Sequence, residues 1–108
     1  MSDFRQGDIV SCDFDPTRGH EPAGSRPALV LSVDRFNENT SLVVVAPITR
    51  TDTGFPLHLP LPDGVQTEGF VCLEQLRSLD LIARRAHVVE SLDNEALEGV
   101  IKVLQLFF

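Results

Sequence analysis

The sequence contains no tryptophan and no tyrosine, so aromatic anchoring falls to seven phenylalanines. Lysine is almost absent: Lys102 stands alone beside eight arginines. Against those nine basic residues stand 16 acidic ones, for a formal net charge of −7. A field of that sign repels nucleic acid and excludes a general polyanion binder. A nucleic-acid role must therefore rest on a local basic patch. Arginine suits one, because its planar, permanently charged fork matches phosphate. Genome composition bias accounts for the same Arg/Lys ratio. An acidic surface also suits a partner that carries basic residues.

Cysteine is scarce too. Cys12 and Cys72 lie far apart, each inside an apolar run. They are expected to be buried and reduced, as in the cytosol. No C-x-x-C and no His/Cys cluster proposes a metal, so no metal or cofactor is expected. No apolar run approaches membrane-spanning length, and Met1-Ser2-Asp3-Phe4-Arg5 opens no secretory h-region. The expectation is a soluble, cytoplasmic protein with no membrane partner. There are no repeats and no low-complexity segments. A chain of 108 residues, 43% hydrophobic and 23% charged, should fold as one domain over residues 1–108.

What is present reads mainly as short strands. Ile9–Phe14 is an apolar run whose alternation slips, which predicts a bulge or strong bend. Asp15–Ser25 is a loop of Pro, Gly, Thr and charged residues, long for a hairpin connection. Arg26–Val33 reads as a core strand. Asp34–Thr40 is polar and turn-rich. Ser41–Ile48 carries Val43, Val44 and Val45 in sequence, as in a strand covered on both faces. Pro47 must lie at its end or on an edge. Leu57, Leu59 and Leu61 alternate in Phe55–Leu61, which its prolines confine to a sheet edge. Gly69–Leu73 and Arg84–Val89 read as further strands. The chain ends in a helix. Asp93 is its N-cap, Leu92 and Leu97 form a staple, and Leu97, Val100, Ile101 and Leu104 make the stripe. Val103, Phe107 and Phe108 widen that stripe enough for a second copy of the chain to cover. The fold class is mainly β with a C-terminal helix, an SH3-like barrel.

The loop before the second strand carries the functional signal. Gly19 and Gly24 permit turns that other residues resist. Between Gly19 and Glu21 stands His20, the one histidine in a polar loop. Arg26 follows at the mouth of a buried strand, where a rigid guanidinium is well set to hold a phosphate.

The residues Asp13-Phe14-Asp15-Pro16-Thr17-x-Gly19-His20-Glu21-x-x-Gly24-x-Arg26-Pro27-Ala28-Leu29-Val30-Leu31-Ser32 resemble the opening signature of the MazF/PemK family of toxin endoribonucleases. The resemblance continues through Ala46-Pro47-Ile48-Thr49 and through Gly69-x-Val71-x-x-Glu74-Gln75-x-Arg77-Ser78-Leu79-Asp80. It spans nearly the whole chain in order. It implies the SH3-like/CcdB-like barrel, a homodimer, and an RNA groove across the dimer. It implies metal-independent cutting of single-stranded RNA at a short sequence. The 2′-hydroxyl would attack the adjacent phosphate, leaving a 2′,3′-cyclic phosphate and a 5′-hydroxyl. The implied partner is a cognate antitoxin whose extended acidic segment blocks the groove. Operator DNA would be met only through that antitoxin.

The transition state of such a reaction places added negative charge on phosphate oxygens, which fixed cationic donors stabilise. The resemblance assigns this to Arg26, with the Thr49 hydroxyl donating to a non-bridging oxygen. His20 can shuttle a proton near neutral pH or shape the loop. Glu74 is the carboxylate that can accept the 2′-hydroxyl proton. Some PemK-type members place an arginine two positions before that carboxylate as its acid–base partner. Cys72 stands there in this chain, which disfavours that scheme. Thr17, Arg18, Gly19, Glu21, Arg50, Gln75 and Arg77 are expected to bind substrate. Gln75 alternatively caps a strand, and Arg77 buttresses the barrel or pairs with Glu74. Arg84 and Arg85 are further candidates for RNA contact. His58 and His87 read as ordinary structural or surface residues. The alternative function is a non-catalytic CcdB-like toxin that binds and poisons DNA gyrase. A third reading is a regulatory member that binds only antitoxin and DNA. The cut sequence is not readable from the loops Thr17–Ser25, Thr49–Gly54 and Pro62–Glu68.

Overall fold

The computed structural model describes residues 3–14 and 25–108. In chain order these form β1 (Asp8–Asp13), β2 (Ser25–Val30), α1 (Asp34–Asn39), β3 (Val43–Thr49), β4 (His58–Pro60) and β5 (Phe70–Cys72). A 3-10 turn (Leu73–Gln75), β6 (Arg77–Leu79), β7 (His87–Ser91) and α2 (Asn94–Gln105) follow. All strand pairings among the described residues are antiparallel. The order across the sheet is β4-β5-β3-β2-β1-β7, and β6 also pairs with β3. This is the mainly-β architecture with a terminal helix that the pattern predicts.

The three central strands are covered on both faces. Val10, Cys12, Ala28, Val30, Val43 and Val45 belong to one core, closed by Phe4, Leu79 and Leu81. Ile9, Leu29, Leu31, Ala46 and Ile48 belong to a second core, shared with Val71, Leu73, Leu92 and Val100. Alternation along each strand sends neighbours into opposite cores, which is why these runs are almost wholly apolar. The predicted irregularity in β1 is a register shift between Ile9 and Val10 against β7.

β3 holds the sheet together by changing partners. Val43–Val45 pair with β6, and Ile48–Thr49 pair with β5. The carbonyl of Val44 accepts from Leu31 N–H, so even-numbered residues of β3 present their polar groups to β2. Pro47 therefore turns its nitrogen to the other side, into the gap between β6 and β5. A residue without an N–H donor fits there at no cost in hydrogen bonds.

β4 is the edge strand its prolines predict. α2 begins at the expected cap, where Asp93 accepts from Ala96 N–H at 2.8 Å. Leu92 and Leu97 both enter the second core as the staple requires. Two expectations are corrected, and one strand lies beyond them. The polar segment read as a turn forms α1, held by Asn37, whose side-chain amide donates to the carbonyls of Phe4 and Ser32. A short strand, β6, covers Arg77–Leu79. The last strand starts at His87, because Arg84 and Arg85 lie in a turn closed by bonds to Asp80 and Ile82.

Candidate active site

Arg26 lies opposite Cys12 in the β1–β2 ladder. It is two residues before Ala28 and so shares the face of the first core, but it stands exposed at that core's mouth. Thr49 ends β3 on the face of Val43 and Val45. β2 and β3 pair Ala28 with Pro47 and Leu29 with Ala46. The same register, carried two residues further, sets Arg26 across from Thr49. Arg77 pairs with Val45 and sits two residues before the core residue Leu79, so it projects from this face as well. Its guanidinium lies 5.3 Å from the centroid of the Phe14 ring. Three adjacent strands thus set Arg26, Thr49 and Arg77 on one face, with Arg77 reaching Phe14 at the end of β1.

Electrostatics at this mouth run against the net charge of the chain. Among the described residues, the ion pairs are Arg5 with Asp34 and His58 with Glu74. Arg26, Arg50 and Arg77 have no carboxylate partner among the described residues, so their charge is free to meet an anion. The Thr49 hydroxyl accepts from Thr51 N–H at 3.2 Å. Its own proton remains available to a ligand oxygen. Gly69 fixes the backbone beneath it. At φ +136° a Cβ there would collide with the Thr49 carbonyl oxygen, so only glycine allows β5 to approach so closely.

Cys72 is buried, and that burial pushes its thiol up, with the Glu74 charge adding to it and a Thr49 backbone hydrogen bond opposing it. The sulfur thus lies within the influence of both Thr49 and Glu74. Cys12 is pushed up to about 11, chiefly by burial. Neither cysteine is a thiolate at neutral pH.

Glu74 stands on the 3-10 turn. Its Oε2 receives His58 Nε2 at 2.6 Å and Gln75 Nε2 at 3.3 Å. Partial burial pushes the carboxyl up, but the His58 and Gln75 hydrogen bonds, a backbone hydrogen bond and the His58 charge outweigh it and leave it below its ordinary value. Glu74 is therefore ionised at neutral pH. Of the two readings of His58, structural or surface, the structural one holds. Its side chain is only 9% exposed, its Nδ1 meets Thr53 Oγ1 at 3.0 Å, and the Phe55 ring packs edge-on against it. Spacing could not reveal this, since 16 residues separate His58 from Glu74. The β4–β5 ladder, which pairs His58 with Cys72, brings them together.

Arg77 stacks on Phe14 rather than pairing with Glu74. Gln75 braces Glu74 rather than capping a strand. Arg50 lines an open cleft with Ser25, Pro27, Gln66, Thr67 and Glu68, beside the mouth. Arg84 is not free for RNA: its guanidinium donates to the carbonyls of Asp13 at 3.2 Å and Phe14 at 2.6 Å. It clamps the start of the loop instead. Arg85 is exposed, with φ at 56°. Thr17, Arg18, Gly19, His20 and Glu21 lie outside the described residues. Among the described residues, no group of three His, Cys, Asp or Glu side chains could hold a metal ion.

Residues 5–108 match the family profile of the PemK-like, MazF-like toxin of type II toxin–antitoxin systems. The chain belongs to this family. The endoribonuclease toxin ChpB of Escherichia coli K12 is 41% identical over 110 residues, covering 96% of this chain and 93% of that protein. The endoribonuclease toxin MazF of the same organism is 39% identical over 80 residues, 74% of this chain and 71% of its own length. In structure, a MazE–MazF crystal structure from Deinococcus radiodurans superposes with a TM-score of 0.81 at 31% identity, covering 96% of this chain and 93% of that one. The PemK/MazF-like fold, an SH3-like/CcdB-like barrel, is therefore the fold of this chain. No helix among the described residues is long and apolar enough to cross a membrane.

Proposed function

We propose that this PemK/MazF-like chain is the toxin of a type II pair and cuts single-stranded RNA by attack of a 2′-hydroxyl on the adjacent phosphate. The observation that supports this reading is the β2–β3 register, which carried past Ala28 and Pro47 sets Arg26 across from Thr49 on one face, with no carboxylate partner for the arginine among the described residues.

In the reaction, the 2′-oxygen forms a bond to phosphorus and the bond from phosphorus to the 5′-oxygen breaks. Arg26 holds the non-bridging oxygens as their charge grows, and the Thr49 hydroxyl donates to one of them. Glu74 takes the 2′-hydroxyl proton, for which its ionised state suits it. His20, between β1 and β2 in sequence, supplies the proton to the departing 5′-oxygen. The charge that a metal provides in other nucleases comes here from arginine. Arg77, Gln75 and Arg50 bind the flanking nucleotides, together with Thr17, Arg18, Gly19 and Glu21.

The chain acts as a single cytoplasmic domain and as a homodimer. Leu106 and Phe108 support the dimer, being 82% and 89% exposed beyond the end of α2. Its partner is a cognate antitoxin whose acidic extended segment occupies the arginine-lined mouth, and it meets operator DNA only through that antitoxin. A gyrase-binding, CcdB-like role would need neither Arg26 nor Thr49 at this face.

The chemistry is tested by the product ends. Native protein in EDTA should leave a 2′,3′-cyclic phosphate and a 5′-hydroxyl. An oligonucleotide with a single 2′-deoxy nucleotide at the cut position should resist. Cleavage of that oligonucleotide, or 5′-phosphate ends, would refute the 2′-hydroxyl mechanism.

A further inference from the structure

His58 is buried for a histidine on an edge strand, and both of its nitrogens are engaged. The carboxylate of Glu74 can only accept, so Nε2 carries the proton of the 2.6 Å contact. Nδ1 faces a hydroxyl, Thr53 Oγ1, which donates to a neutral imidazole and accepts from a charged one. Thr53 is itself held by Phe55 N–H at 3.3 Å. The contact to Glu74 is therefore kept in either charge state of the ring. With Gln75 also on Oε2, one oxygen of Glu74 is doubly engaged. The other, Oε1, receives no side-chain hydrogen bond among the described residues, and the side chain is 27% exposed. The ring itself is too enclosed to touch a substrate.

We propose that His58, backed by Thr53, is a positioning residue that locks Glu74 so that Oε1 faces the 2′-hydroxyl. The proposal rests on the reading of Glu74 as the proton acceptor. A carboxylate on a short turn has free side-chain torsions, and fixing them removes an orientational cost from the proton transfer. The titratable groups around Glu74 are His58 from β4, which acts on it, and the neutral Cys72 thiol from β5, which the Glu74 charge itself raises; Thr53 and Gln75 complete the set without charge.

The acid limb of the cleavage profile reports protonation of Glu74. The His58 hydrogen bond lowers that carboxyl, so His58→Ala should let it rise and move the limb to higher pH. Cleavage should fall about 10- to 100-fold. His58→Gln, whose amide can still donate to Oε2, should recover part of both changes. Carbon-13 NMR of the labelled Glu74 carboxyl, on RNA-free protein, follows the same midpoint without reference to activity. A joint upward shift of the NMR midpoint and the acid limb is the expected result. If neither moves in His58→Ala, the positioning role is wrong. If the NMR midpoint moves but Glu74→Gln still cuts RNA at the native rate, the pairing stands, and the base role, and with it the proposal, falls. Loss of fold in His58→Ala would show in the NMR spectrum, and His58→Gln would then carry the test.

Discussion

Arg26 owes its place to two facts of sequence, a strand that buries Ala28 and Val30 and a parity that turns Arg26 to the same face. Lysine would keep the charge but lose the planar fork. Arg26→Lys should therefore cut RNA about 10²- to 10³-fold more slowly, as when one fixed donor to an oxyanion is lost, with the melting temperature unchanged. Gly69 acts through backbone alone. Gly69→Ala drives a methyl into the Thr49 carbonyl at a φ that suits only glycine. It should cost about 1–3 kcal/mol in chemical denaturation and slow cleavage by displacing Thr49. At this scale the sequence singles out Arg26, Thr49 and Glu74 as candidates because a motif carries each of them. His58 was illegible because its meaning depends on the strand pairing that brings Glu74 against it.

Among the elements, the central strands and α2 could be read because each is written in one strong period. β1, β2 and β3 are apolar on both faces, and α2 has a cap, a staple and a stripe. α1 could not be read. Its six residues, Asp-Arg-Phe-Asn-Glu-Asn, have no apolar stripe and no side-chain cap, and the buried amide of Asn37 holds it. β6 is three residues long and shows no period at all. The segment before β5 depends on one distant side chain. The Glu90 carboxylate of β7 accepts from Gln66 N–H, Thr67 N–H and the Thr67 hydroxyl. The Thr67 hydroxyl and these backbone bonds hold its carboxyl below the ordinary value, against a smaller opposing push from burial. A carboxyl lowered on folding adds stability above its unfolded pKa and loses it as pH falls through the folded one. Glu90→Gln should therefore cost about 1–2 kcal/mol at neutral pH. The gap to native protein should close as pH drops below the ordinary glutamate range, which urea titrations at several pH values would read.

As a whole, the molecule is an acidic body with a small arginine-lined mouth. The net charge of −7 opposes RNA, and only Arg26, Arg50 and Arg77 of the described residues stand at or beside the mouth without a carboxylate. Binding of an uncleavable 2′-deoxy-substituted oligonucleotide should then weaken with salt at a log–log slope of about −2, set by some three phosphate contacts. The apolar end of the chain past α2 is a second whole-molecule feature. Val103, Leu104 and Phe107 pack inward, while Leu106 and Phe108 do not. In light scattering the native protein should give the mass of two chains, and replacing both with glutamate should give the mass of one. The central claim is that the face shared by Arg26 and Thr49 breaks the RNA chain. Its most direct test is the single-turnover cleavage rate of Arg26→Ala beside that of the native protein, in EDTA. The account requires native cleavage and a loss of at least about 10²-fold in the variant. A variant that cuts as fast as the native protein would place the chemistry elsewhere.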